Sequence, residues 1–339
     1  MRIRHLIVFS SIPVLIYASA GDRADNYQNC VSKCASRVCG DNHNTWASTI
    51  SLPMWLTRWT CIDDCKYGCM HAITDHALEN AQPVLQYHGK WPFWRLAGMQ
   101  EPASVAFSVL NFLVHYRSWQ RIQKTVPDSH PMKSYYRRFA LVSMNAWVWS
   151  SVFHTRDLPL TEKMDYFSAA LAILYALYYT VVRLFHLYTA DANGYDARRT
   201  QSIGYIAWTS LCTLAYLAHV SYLTFLPRFD YTYNMVFNLT IGMVHNLLWL
   251  AYSLPPALSL ARRFPHRSRS YRPPYATAAA LFVILTIFAT AFELFDFPPW
   301  GRIIDAHSLW HLSTVPITLF WYRFLISDAL DAGWKVEKS

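Results

Sequence analysis

From residue 102 onward the chain alternates long apolar runs with short charged or proline-containing breaks. The runs cover roughly 102–116, 139–154, 166–188, 203–226, 235–254, 275–297 and 307–326. Most approach the ~20 residues that carry an α-helix across a bilayer core of ~30 Å. The first two are short for that task. Their polar members, such as Ser104 and Asn111, must then face other helices rather than lipid. Residues 21–98 break the pattern and are polar, rich in Trp and Cys. Before them, Arg2 and Arg4 precede a short apolar core, Leu6–Tyr17, and the small residues Ala18-Ser19-Ala20, which together read as a secretory signal peptide over 1–20. The pattern predicts an all-α membrane protein: a seven-transmembrane helix bundle over 99–326, an N-terminal disulfide-rich lumenal domain over 21–98, and a short cytosolic tail over 327–339.

Composition agrees. Of 339 residues 53% are hydrophobic and only 10 are glycine, too apolar for an ordinary soluble domain of this length. The net charge of +9 would suggest nucleic acid in a soluble protein. Here the cations sit between apolar runs, which points to membrane orientation and not to nucleic acid.

Six of the seven cysteines, Cys30, Cys34, Cys39, Cys61, Cys65 and Cys69, precede the first run. An even, clustered set behind a signal peptide reads as disulfides, and its four-residue steps suggest two short helices stapled together. The pairing is open, since six cysteines allow 15 connectivities. The alternative, a metal cluster, lacks the close spacing of zinc ribbons. Cys212 lies in an apolar run and reads as a packing residue. Gln86–Trp94, with Lys90 and Pro92 among aromatics, reads as an interfacial belt.

The cations set the orientation. Arg117, Arg121, Lys124, Lys133, Arg137 and Arg138 fall between the first two runs; Arg183, Arg198 and Arg199 fall at the next break on that side; Arg262, Arg263, Arg267, Arg269 and Arg272 fall at the third. The alternate breaks hold only Arg156, Lys163, Arg228 and Arg302, mixed with acids. The positive-inside rule places the first set in the cytosol and the amino terminus in the lumen.

On this topology residues far apart in the chain reach one depth. Ser150 and His154 share a helix face at the lumenal end of the second run, Asp165 opens the third, and His307 and His311, again four apart, open the seventh. Three imidazoles suit a catalytic zinc, which takes three protein ligands and leaves a position for water. A zinc ion held by His154, His307 and His311 would lower the pKa of that water to about 7. Asp165 is then suited to orient the water or pass its proton to a leaving alcohol, and Ser150 to donate to the developing oxyanion or to the water. Ionisable groups are costly inside a membrane, which favours function for this set. Glu101, Glu293 and Asp296 are membrane-edge acids that read as helix caps or structural pairs.

The pattern S-x-x-x-H, an Asp opening the next helix, then H-x-x-x-H opening the seventh, resembles the superfamily of alkaline ceramidases and progestin/adiponectin receptors. Within it, WTCIDDCKYGCM at 59–70, QYHGKWPF at 86–93, GMQEPASVAFSVLN at 98–111, NAWVWSSVFHTRD at 145–157 and ELFDFPPWGRIIDAHSLWH at 293–311 closely resemble the Per1-like family. The resemblance implies a GPI-specific phospholipase A2 that removes the unsaturated sn-2 acyl chain from GPI-anchored proteins. It implies zinc on His154, His307 and His311, with Ser150 and Asp165 as polar partners, and GPI-anchored proteins and membrane lipids as the molecules met. It also implies residence in the Golgi, or in the endoplasmic reticulum for fungal members. Two alternatives use the same residues: a ceramidase-like amidase, and a non-enzymatic seven-helix receptor or escort for GPI-anchored proteins.

Overall fold

A computed structural model describes residues 19–39, 51–188, 202–259 and 261–335. The signal peptide read over 1–20 falls almost wholly outside the described residues, as do Arg198 and Arg199. The chain divides into two compact units, Met1–Phe93 and Trp94–Ser339.

In the first unit α1 (Asp25–Cys34) runs into a single π turn over Ala35–Cys39; α2 (Leu52–Leu56) and α3 (Cys61–Glu79) follow. The expected staple is present, and its pairing is Cys30–Cys69, Cys34–Cys65 and Cys39–Cys61, with Cα–Cα distances of 5.7–5.8 Å. Antiparallel helices explain this order. On α3 the cysteines recur every four residues and share one face. On the partner strand of the staple the last step is five, from Cys34 to Cys39, and the wider π turn returns Cys39 to the face an α turn would have missed. The helix α3 starts where Thr60 and Asp63 form a reciprocal capping box.

The second unit holds α4 (Pro102–Thr125), α5 (Lys133–Thr155), α6 (Pro159–Leu184), α7 (Ile203–Phe225), α8 (Tyr231–Ser253), α9 (Thr277–Leu294) and α10 (Ala306–Ala329). By length and composition four of these, α6 to α9, are apolar enough to cross a membrane. The other three are long enough, but their polar side chains lower their hydropathy. Ser104, Ser108 and Asn111 on α4, Ser143, Ser150 and His154 on α5, and Ser308 and His311 on α10 are all buried, facing other helices as expected of Ser104 and Asn111. Helix α4 packs on α5 and α10, α5 on α6, and α9 on α8 and α10. Cys212 is a free, buried packing residue, as expected.

One expectation is corrected. Arg117, Arg121 and Lys124 are not loop residues but continue α4, and Lys133, Arg137 and Arg138 lie in the first turns of α5. Lys and Arg are good helix formers, so the helix outlasts the apolar run that signals it.

At the end of the bundle away from the histidines, α6, α8 and α10 converge on a buried ion pair. Arg183 Nε and Nη2 donate to the two oxygens of Asp328 at 2.7 and 2.8 Å, and both side chains are fully buried. Tyr252 Oη donates to the same carboxylate at 2.8 Å, and Arg183 Nη1 donates to the Arg263 carbonyl at 2.7 Å. Around this lock lies an aromatic core that includes Tyr136, Tyr179, Trp249, Trp321 and Tyr322.

Between α4 and α5, His130 packs edge-on to Trp334 with ring centroids 4.5 Å apart, and its Nδ1 accepts from the Met132 amide at 3.2 Å. Burial pushes its pKa down from 6.5 to about 4. The neutral ring is therefore the folded form, and the unfolded chain binds the extra proton first. Stability attributable to His130 is present above pH ~6.5 and is lost as pH falls toward 4. Thermal unfolding of the detergent-solubilised protein between pH 4 and 6.5 should show a shallower pH slope for His130→Phe than for the native chain. Coincident slopes would remove His130 from this account.

Candidate metal centre

Local rules place each site residue at a helix end. Helix α5 stops at Thr155 because Leu158 precedes a proline and cannot continue a helix comfortably, which leaves His154 in the last turn. Helix α10 starts at a capping box: Asp305 Oδ1 accepts the Ser308 amide at 2.8 Å and Ser308 Oγ accepts the Asp305 amide at 3.0 Å. That start puts His307 and His311 on adjoining turns of one face. Helix α4 begins with Pro102, tolerated at the first position because it has no amide to leave unbonded. Glu101, just before it, closes the end of α5: its amide donates to the His154 carbonyl at 3.0 Å, while the Gln100 amide donates to that of Thr155 at 3.0 Å. These are carbonyls a helix end leaves without a partner.

The three imidazoles converge, and one atom from each lies within 4.8 Å of the others. His311 Nε2 is 2.9 Å from His307 Nε2, which is 3.3 Å from His154 Nε2. Each ring is held from behind at Nδ1. Glu101 Oε2 is 2.8 Å from that of His154, Glu293 Oε2 is 2.7 Å from that of His307, and Ser108 Oγ is 2.9 Å from that of His311. A carboxylate only accepts, so Nδ1 of His154 and of His307 carries the proton, and Nε2 is the nitrogen each neutral ring would offer to an ion. Lone pairs converging on one point repel unless a positive charge lies between them. Two nitrogens bound tetrahedrally at 2.0–2.1 Å would stand about 3.3 Å apart, which matches the His154–His307 spacing and exceeds the 2.9 Å between His307 and His311. The donor set fits a zinc-type ion, and outer partners of this kind are what such ligands use to hold their tautomer.

The centre is asymmetric. His154 and His311 are buried, whereas the side chain of His307 is 34% exposed and that of Glu293 41%. It opens on the His307 side. Trp147 and Trp310 pack against His311, with ring centroids 5.3 and 5.1 Å away.

Of the residues read from sequence, His154, His307 and His311 come together. Ser150 is buried and touches Ser108 Oγ at 3.0 Å. Asp165 stands partly buried on the second turn of α6. The ring of its neighbour Tyr166 lies 6.2 Å from that of Phe153, the residue before His154. Glu101 and Glu293, read as helix caps or structural pairs, pair with the rings of His154 and His307. Glu101 occupies the capping position of α4 yet makes no side-chain cap. Ser108 belongs with them: its four-residue step from Ser104, toward Asn111, marks one buried polar face of α4.

This is a helical protein with apolar membrane-length segments, a disulfide-stapled N-terminal region and a three-imidazole group able to hold a metal ion. Residues 51–329 match the model of the Per1-like family, and the chain belongs to that family. It is 41% identical over 312 residues to "Protein PER1 homolog" of Schizosaccharomyces pombe, covering 92% of this chain and 87% of that protein. It is also 40% identical over 326 residues to the human "GPI-specific phospholipase A2-like PGAP3", covering 96% and 94%. The PGAP3 protein of Danio rerio, named in the same way, is 41% identical over 314 residues, 92% and 91% of the two chains.

Proposed function

We propose that this chain is a zinc-dependent lipid ester hydrolase of the phospholipase A2 type, acting on the sn-2 acyl ester of GPI anchors. All seven long helices of the second unit cross the membrane in this reading, with the amino terminus in the lumen of the Golgi or the endoplasmic reticulum and the histidines at the lumenal end. The observation that carries it is the convergence of three imidazoles, each with Nδ1 held by a separate acceptor. The names of the PGAP3 relatives supply the substrate class.

His154, His307 and His311 would hold the ion, and a bound zinc ion would supply Lewis acidity and activate water near neutral pH. Glu101 and Glu293 keep the His154 and His307 rings in the ligating tautomer and offset its charge. Asp165 takes a proton from the attacking water and returns it to the glycerol oxygen as the ester C–O bond breaks, so fatty acid and lyso-lipid leave. The open side suits a lipid. Leu294, Phe295, Trp300 and Ile303, in the connection that follows Glu293 and leads to His307, are 48–73% exposed and form an apolar lip.

Purified full-length protein should release fatty acid from a GPI lipid in detergent, lose that activity to a strong chelator and regain it with zinc. Release from ceramide but not from the GPI lipid would favour the amidase instead. Metal binding without turnover on either would leave the receptor or escort reading.

A further inference from the structure

Three hydrogen-bond contacts surround Ser108 Oγ, and only one of the three partners is an acceptor alone. Ser108 Oγ donates to the Ser104 carbonyl at 2.7 Å, an acceptor with no proton to return. A serine hydroxyl has one proton and two acceptor positions. With that proton placed on the carbonyl, its two other contacts, His311 Nδ1 at 2.9 Å and Ser150 Oγ at 3.0 Å, both donate to it. Ser108 is fully buried and Ser150 is 5% exposed, so no bulk water takes a place in this set.

We infer that Ser108 is a positioning residue for the metal centre: it holds His311 as the Nδ1–H tautomer with Nε2 free for the ion, and it consumes the hydroxyl proton of Ser150. This rests on the proposed metal-centred reading and refines it. Two consequences follow. The three ligands are not equivalent, since His154 and His307 are backed by carboxylates and His311 by a neutral hydroxyl, which makes His311 the least basic donor. And Ser150, with its proton committed, meets the site as an acceptor. It orients a donor such as a water or an alcohol, and it does not donate to an oxyanion. Asn111 supports the arrangement from the same face of α4, donating through Nδ2 to the His311 carbonyl at 2.8 Å.

The test measures zinc affinity of the purified full-length protein by competition with a chelator, together with the visible absorption of the cobalt-substituted form. Ser108→Ala is expected to weaken zinc binding about 10–100-fold, the usual effect of losing an outer partner, and to shift the cobalt bands. Ser108→Thr, which keeps the hydroxyl, should restore both. Ser150→Ala should leave affinity within about 3-fold of the native protein, well short of an outer-partner loss, because it removes a donor to Ser108 and not a partner of a ligand. Ser108→Ala that folds and binds zinc with native affinity and native bands overturns the assignment. So does a Ser150→Ala protein that loses zinc, and this arm decides the matter if Ser108→Ala does not fold. A native protein that binds no zinc fails the underlying reading; one that binds zinc but hydrolyses nothing fails the proposed function and leaves the Ser108 assignment standing.

Discussion

Replacing His311 with alanine is expected to strip the centre of its ion and reduce fatty-acid release to background, the largest effect any single substitution should have here. Loss of an outer partner costs about 10–100-fold in metal affinity, and loss of a direct ligand should exceed that. His311 is central in two respects. It shares Nε2 contact with His307 at 2.9 Å, and through Ser108 it reaches Ser150. The alanine also leaves a buried gap between Trp147 and Trp310. His311→Gln, closer in volume and still polar, separates ligation from packing: it should fold and still lack the metal. Metal content by elemental analysis, read beside unfolding temperature, checks this. A His311→Ala protein with native metal content and native turnover would end the three-histidine assignment.

The second large effect lies at the other end of α10. Asp328 is 17 residues beyond His311, about 26 Å along the helix axis, and touches nothing in the metal centre. Asp328→Ala should destabilise the protein by about 3–5 kcal/mol, because it leaves the Arg183 guanidinium buried without its partner. Tyr252 loses its acceptor in the same step. The paired replacement Arg183→Met with Asp328→Leu removes both charges and should cost less than either single change, since apolar side chains often substitute for a buried pair without loss. Thermal unfolding in detergent reads the difference. If the double variant is as unstable as the sum of the singles, the pair contributes through specific geometry and not through compensation of charge. The fraction of Asp328→Ala that stays folded should keep its metal, in contrast to His311→Ala.

Much of the candidate site was legible in the chain. Steps of four put Ser150 over His154 and His307 over His311, and the structure brings the two histidine-bearing helix ends together. What was not legible was what stands behind each ring. Glu101 is 53 residues from His154, and Ser108 is 203 residues from His311. No local periodicity selects such partners. A glutamate before a proline at a helix start looks like a cap, and only packing of α4 against α5 shows its carboxylate turned to an imidazole. The polar residues that keep α4, α5 and α10 from reading as strongly apolar segments are largely those that face other helices.

The amino-acid order alone determined which stretches become helices and the residue types available for chemistry, because periodicity, capping and proline act over a few residues. It also called for disulfides, since six cysteines clustered ahead of the first apolar run have few other uses. The tertiary structure alone decided which cysteines pair, which acceptor backs each histidine and on which side the centre opens. Those outcomes depend on distances between helices, and such distances exist only once the apolar faces have packed.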